Sequence, residues 1–220
     1  MISHTKKFLF IHVPKTGGNS VSTALQPYTD IQFVAANSPK GFGISENFWP
    51  IDPLYGSIKH FSVEHWNALL GKSISDYFLF STVRNPFDRA ISTYFFMKQA
   101  MIQHKVPWLE DHSDEARDRF SKSEFHNFLV SGVPSQLSFL KSNAGIDIHL
   151  MRYEQLVNDF AVVCRKLELN QASLPVINAS RRPPSSRLLD ADTQKLLIEV
   201  YEEDFRSFGY GYAYELERSI

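Results

Sequence analysis

Residues 10–20 read FIHVPKTGGNS, and the fold turns on this stretch. An apolar run stops at Pro14. Lys15, Thr16, Gly17 and Gly18 then arrive together before a helical pattern begins at Asn19 and Ser20. Strand, glycine-rich turn and helix start, in that order, build an anion cradle, because a helix N-terminus carries unpaired N–H groups and a partial positive charge. Gly17 and Gly18 let the backbone approach an anion closely, and Lys15 adds a full charge. The plainer reading is a strand-to-helix turn that needs glycine for a positive φ. The nucleotide-hydrolysing pattern G-x-x-x-x-G-K-[ST] does not fit. With Gly18 and Ser20 on its last glycine and hydroxyl, Asn19 stands where the lysine belongs and Val13 where the first glycine belongs.

Working outward, FLFIHV (8–13) and YFLFSTV (77–83) are continuous apolar runs of the kind buried on both faces of a sheet, and IDIHLMRY (146–153) is a weaker third. Each leads into a helical pattern. The first is followed by 19–25. The second is followed by NPFDRAISTYFFMKQAM, with Asn85 as N-cap, Pro86 at the first helical position and Asp88 in the first turn. After the third, 154–169 places Leu156, Phe160, Val163 and Leu167 on one face. A last helix opens on Asp190 and closes before GYGY. This alternation predicts an α/β fold with a central, mainly parallel sheet in one domain, 1–220. The stretches 30–56 and 100–145 read as less regular insertions.

A chain of 220 residues with 43% hydrophobic and 14% aromatic residues buries a core without metal or disulfide support. Its net charge of −1 supplies no field that would draw nucleic acid or an anionic membrane, so any bound anion is held by a local cluster. The single cysteine, Cys164, lies in an amphipathic pattern and reads as a buried, inert thiol. No segment reaches the ~20 apolar residues of a membrane span. The start of the chain lacks a secretory pattern, and the expectation is a cytoplasmic protein.

A second anion site is legible in STVRNPFDRAIST, residues 81–93. Arg84 ends a strand, and the Ser92 hydroxyl lies a little over two helical turns further on. A guanidinium fork suits phosphate oxygens. The alternative is an Arg84–Asp88 ion pair with Ser92 as bystander. Two clasps at the ends of parallel strands imply one ligand with two phosphate-bearing ends. Arg84 also occupies the place where a metal-dependent kinase would want an acid.

At these residues the sequence resembles the sulfotransferases that use 3′-phosphoadenosine 5′-phosphosulfate (PAPS), especially the carbohydrate branch that includes heparan sulfate 2-O-sulfotransferase and its bacterial relatives. FIHVPKTGGNS looks like the family's 5′-phosphosulfate loop and VRNPFDRAISTY like its 3′-phosphate motif; LMRYEQLVNDF and EEDFRSFGYGY are weaker landmarks. The resemblance covers about half of the chain, in blocks. It implies a P-loop NTPase-like three-layer domain and a PAPS donor that leaves as adenosine 3′,5′-bisphosphate. It also implies a small-molecule or saccharide acceptor, with no metal, nucleic acid or membrane partner. Donor contacts fall on Lys15, Thr16, Gly17, Gly18, Asn19, Ser20, Arg84 and Ser92. The family usually has threonine where this chain has Asn19, whose side chain still donates a hydrogen bond.

Sulfuryl transfer needs a cation at the departing phosphate, here Lys15, and a base near neutrality for the acceptor hydroxyl. KHFSVEHW (59–66) resembles the segment that carries the family's histidine base, which assigns that role to His60. The heparan enzyme has a second histidine two residues earlier, where this chain has Ile58, so His60 is expected to act alone or with a partner not visible in sequence. Glu64 is a candidate to orient it. His12, inside the first strand, reads as structural. His60 and His65 lack metal-ligand spacing. Arg181 and Arg182, in INASRRPPSSR, read either as nucleotide contacts or as a solvated basic loop. The aromatic stretch 41–57 reads as packing, with sugar stacking the alternative. Two rival readings remain at this point: a P-loop small-molecule kinase, and a nucleotide-binding module without chemistry.

Overall fold

The computed structural model describes residues 1–29, 58–170, 174–175 and 184–214. Its strands are Ile2–Ser3 (β1), Phe8–Ile11 (β2), Phe78–Val83 (β3) and His149–Arg152 (β4). They form one sheet in the order β1-β2-β3-β4. β2 and β3 pair in parallel from Phe8 opposite Phe78 to Ile11 opposite Ser81, and β3 pairs in parallel with β4 from Phe80 opposite His149 to Val83 opposite Arg152. The mainly parallel sheet expected from the alternation is the one that forms. β1 was not anticipated: two residues give no periodicity to read, yet Ile2 and Ser3 pair antiparallel with Leu9 and Phe8.

β2, which forms from the first apolar run, ends at Ile11 rather than Val13. The Thr16 hydroxyl donates to the Val13 carbonyl at 2.8 Å, and the Ser81 hydroxyl donates to the Ile11 carbonyl at 2.7 Å. These side-chain hydrogen bonds mark the place where the strand gives way to the loop.

The chain divides into two compact units. The first takes in 1–83 and 136–177, the second 84–135 and 178–220. In the first unit the helices are Gly18–Leu25 (α1) and Val63–Leu70 (α2), with Leu137–Leu140 and Leu156–Lys166 numbered below. Phe8, Phe10, Phe80 and Met151 from the sheet pack with Val21 and Leu25 of α1 and with Phe160, Val163 and Cys164 of 156–166. Each such fully buried side chain contributes about 1.5–3 kcal/mol of hydrophobic stabilisation. α2 starts on a reciprocal cap: His65 N–H donates to Ser62 Oγ at 3.3 Å while His65 Nδ1 accepts from the Ser62 N–H at 3.2 Å.

The second unit is helical, built on Pro86–Gln103 (α3) and Lys122–Val130 (α4). In chain order the remaining helices are Leu137–Leu140 (α5), Leu156–Lys166 (α6) and Ala191–Phe208 (α7), the last belonging to this unit. Phe87, Ile91 and Tyr94 of α3 share one core with Phe125 and Phe128 of α4 and Leu197, Tyr201 and Phe205 of α7. The expected caps are present. Asn85 Oδ1 accepts from the Phe87 N–H at 3.0 Å, and Asp190 Oδ1 accepts from the Thr193 N–H at 2.9 Å. The stretch 100–145 is more regular than its sequence suggested, since it holds α4 and α5. α4 is anchored by an ion pair of 2.7 Å between Lys98 and Glu124, both almost fully buried. No helix among the described residues is long and apolar enough to cross a membrane.

Candidate active site

The loop between β2 and α1 lies wholly in the first unit. Lys15 (φ 67°) and Gly17 (φ 86°) both adopt left-handed backbone, the kind of turn from which anion-binding concavities are built. Gly17 is the N-cap of α1; no side chain caps this end, and its first turn holds no acidic residue. The Gly18 and Asn19 N–H groups thus carry the positive character of a helix start. A Cβ on Gly17 would stand 2.8 Å from Cδ2 of Tyr153, in addition to its positive φ. A Cβ on Gly18 would stand 2.3 Å from Cδ2 and 2.4 Å from Nε2 of His12. Both glycines are required by shape.

Thr16 is fully buried and its hydroxyl is engaged internally. It donates to the Val13 carbonyl and therefore accepts, at 2.6 Å, from the Thr82 hydroxyl at the end of β3. This pair pins the loop to the sheet, so what Thr16 can offer an anion is its backbone N–H. Ser20 is half-buried and closes the first turn of α1 through its N–H to the Gly17 carbonyl at 3.0 Å.

His60 approaches the same loop from the 3₁₀ turn Ile58–His60. Its Nδ1 lies 2.9 Å from the His12 backbone oxygen. A carbonyl only accepts, so the proton of neutral His60 sits on Nδ1 and the basic lone pair on Nε2. The two imidazoles meet edge to face with centroids 4.8 Å apart. His12 follows the strand rather than lying in it, and is buried, with its own Nδ1 3.5 Å from Ser22 Oγ. Burial first, then the positive charges of His60 and Lys59, push the His12 pKa well below the usual value. Histidines do meet here, though the partner is His12 instead of a residue beside His60. Nothing local in the sequence signals this, because the two are 48 positions apart.

Glu64 does not orient His60 through any bond described: its Oε1 accepts from the Asn143 N–H at 2.7 Å. The His12 carbonyl does hold the His60 ring, at Nδ1. His65 belongs to the cap of α2. Lys59, unremarked in sequence, donates from Nζ to Asn19 Oδ1 at 2.8 Å. Lysine only donates, so the Asn19 carbonyl faces it and the Asn19 amide keeps its two N–H donors, the property expected of that side chain.

Arg84 and Ser92 fall in the second unit. Arg84 is half-buried just before α3, and Ser92 is buried on α3 itself. Asp88, weighed above as a partner for Arg84, accepts from the Ser185 hydroxyl and, at 3.2 Å, from the Tyr214 hydroxyl. Arg89 is buried and donates from Nη1 to the Pro134 carbonyl at 3.0 Å, a structural role. Arg181, Arg182 and the aromatic stretch 41–57 lie outside the described residues. Among those residues no group of three or more His, Cys, Asp or Glu is arranged to hold a metal ion.

A family model described as "Sulfotransferase family" matches residues 1–211. No curated protein and no solved structure gives a match. Sulfotransferases have a P-loop NTPase-like fold, and the mainly parallel sheet with its strand–loop–helix start agrees with it. With nearly the whole chain matched, the protein belongs to the sulfotransferase family.

Proposed function

We propose that the protein moves a sulfuryl group from PAPS to a hydroxyl of a small molecule or, as the resemblance to the carbohydrate branch favours, a saccharide. The observation that carries this reading is the meeting, within one unit, of an uncapped glycine-rich helix start and a histidine whose tautomer is fixed by the His12 carbonyl. The residues present fit such a donor. Lys15, the N–H groups from Thr16 to Asn19 and the Ser20 hydroxyl would hold the 5′-phosphosulfate, Arg84 and Ser92 the 3′-phosphate, and Arg181 and Arg182 the nucleotide. Both units are read as one sulfotransferase domain, which the family match running through both supports.

PAPS, when bound, supplies an SO₃ group whose bond to the bridging oxygen breaks with the electron pair left on the 5′-phosphate. His60 takes the acceptor proton at Nε2 as the new S–O bond forms, and later releases it to water. The His12 carbonyl keeps the other proton on Nδ1 throughout. The Lys15 ammonium stabilises the charge left on the phosphate oxygen, a preorganised contribution of about 3–4 kcal/mol. No metal takes part in this proposal.

The test compares adenosine 3′,5′-bisphosphate without metal against ATP with Mg²⁺ by thermal shift, and follows sulfate transfer from labelled PAPS to a panel of saccharides and phenols. The bisphosphate should stabilise the protein, by about 2.7 kcal/mol at a hundredfold excess over Kd. Lys15→Ala should lower kcat by roughly 10²–10³ and His60→Ala by roughly 10²–10⁴. Preference for ATP with Mg²⁺ overturns the donor in favour of a kinase. Unchanged turnover in both variants overturns the residue roles.

A further inference from the structure

Asp88 lies in the first turn of α3, between Arg84 and Ser92 along the chain. One helical turn separates it from Ser92 on the same face of the helix. A carboxylate in a first turn suits the positive end of its own helix. So close to Arg84 and Ser92, however, it also opposes the charge of any phosphate they hold, and its presence there calls for a compensating role.

Its hydrogen bonds indicate that role. The Ser185 hydroxyl donates to Asp88 Oδ1, and the Tyr214 hydroxyl lies 3.2 Å from Oδ1 and 3.3 Å from Oδ2. The two donors stand 97 and 126 positions away in sequence, yet all three residues belong to the second unit. Each donor is fixed in its turn. Ser185 is buried, and its backbone carbonyl accepts from the Leu188 and Leu189 N–H groups at 2.9 and 3.1 Å. Tyr214 donates its N–H to Gln194 Oε1 of α7 at 3.3 Å, and its ring meets Phe87 edge to face with centroids 5.6 Å apart. One side chain thus ties the start of α3 to two distant segments that are themselves anchored.

Resting on the donor reading above, we propose that Asp88 is a positioning residue for the 3′-phosphate. Held by Ser185 and Tyr214, it locks the turn from which Arg84 and Ser92 reach the ligand and sets their spacing before the ligand arrives. Asp88 itself does not touch the nucleotide. The order it imposes lowers the cost of arranging the clasp on binding.

The experiment measures binding of adenosine 3′,5′-bisphosphate and of adenosine 5′-phosphate by calorimetry on wild type, Asp88→Ala, Asp88→Asn, Tyr214→Phe and Ser185→Ala. The two ligands differ only by the 3′-phosphate, so a loss confined to the first reports on the clasp, whereas general loosening of the fold weakens both. Asp88→Ala should weaken the bisphosphate by about tenfold, the range of one net hydrogen bond, and the monophosphate by less than about twofold. Asp88→Asn should recover most of the affinity, because its amide oxygen still accepts from a hydroxyl. Tyr214→Phe and Ser185→Ala should act in the same direction by smaller factors. Should Asp88→Ala fail to fold, these two variants, each lacking a single hydroxyl, carry the comparison. Equal loss for both ligands, or no loss for either, overturns the role of Asp88 while leaving the donor intact. Wild type that binds the bisphosphate no more tightly than the monophosphate, or binds neither, removes the donor reading and this inference with it.

Discussion

Gly18 has no room for a side chain, because the His12 imidazole occupies the space where a Cβ would go. His12 is itself confined by burial and by the His60 ring, so it cannot yield cheaply. Gly18→Ala should therefore destabilise the protein by about 1–3 kcal/mol, the range of overpacked cores. It should also reduce turnover more than its stability loss explains, since the displaced His12 carbonyl no longer fixes His60; urea unfolding and kcat on the same preparation check both. His12 makes a second prediction. Its folded pKa lies below the unfolded value of about 6.5, so the unfolded chain takes up a proton that the folded chain refuses as pH falls through that value. Stability should be full above about pH 7 and decline below about 6.5 by up to ~1.4 kcal/mol per pH unit from this group. His12→Gln should flatten that share of the slope in unfolding curves taken at several pH values.

At the scale of elements, the parts legible in sequence were those with a local signature. Phe8–Ile11 and Phe78–Val83 announce themselves as unbroken apolar runs, and α3 and α7 by Asn85 and Asp190 at their caps. α4 carried a comparable signal in Ser121, whose hydroxyl accepts from the Glu124 N–H at 3.4 Å, but a buried acid in its first turn disguised the core-facing side. α2 was masked by a histidine at the third helical position, where its cap uses an imidazole in place of the usual glutamate or glutamine. In the candidate site, the loop and His60 were readable as motifs. The His12–His60 and Lys59–Asn19 contacts were not, because long-range pairings leave no period in the chain. The α2 cap also bears on His60, two residues before Ser62. Ser62→Ala should lower stability by about 1 kcal/mol in denaturant titration, and, with His60 as the proposed base, it should shift the pH–rate profile by loosening the turn that presents His60.

Over the whole molecule, each unit has its own source of stability. The first rests on aromatic and aliphatic packing across the sheet, the second on a helical core that encloses a charge network. There Lys98 Nζ donates to Glu124 Oε2 at 2.7 Å and to the Tyr94 hydroxyl at 3.0 Å, while Glu124 Oε1 accepts from the Glu110 N–H at 2.9 Å. Burial by itself would raise the Glu124 pKa; the bonds from Lys98, Glu110 and Tyr94 together hold it below its usual value. Lys98→Met leaves that carboxylate buried without its cation and should cost about 3–5 kcal/mol. The double variant Lys98→Met/Glu124→Leu should regain much of the loss, as guanidinium unfolding would report.

The lone thiol offers a clock. Cys164 is 2% exposed within the core of the first unit, packed with α1 and the strands β2 and β3. An alkylating reagent reaches it only when that core opens, so the rate of modification in native buffer times the opening directly. A nucleotide that clamps the loop should retard the reaction in proportion to its occupancy, giving a readout of donor engagement that requires neither an acceptor nor turnover.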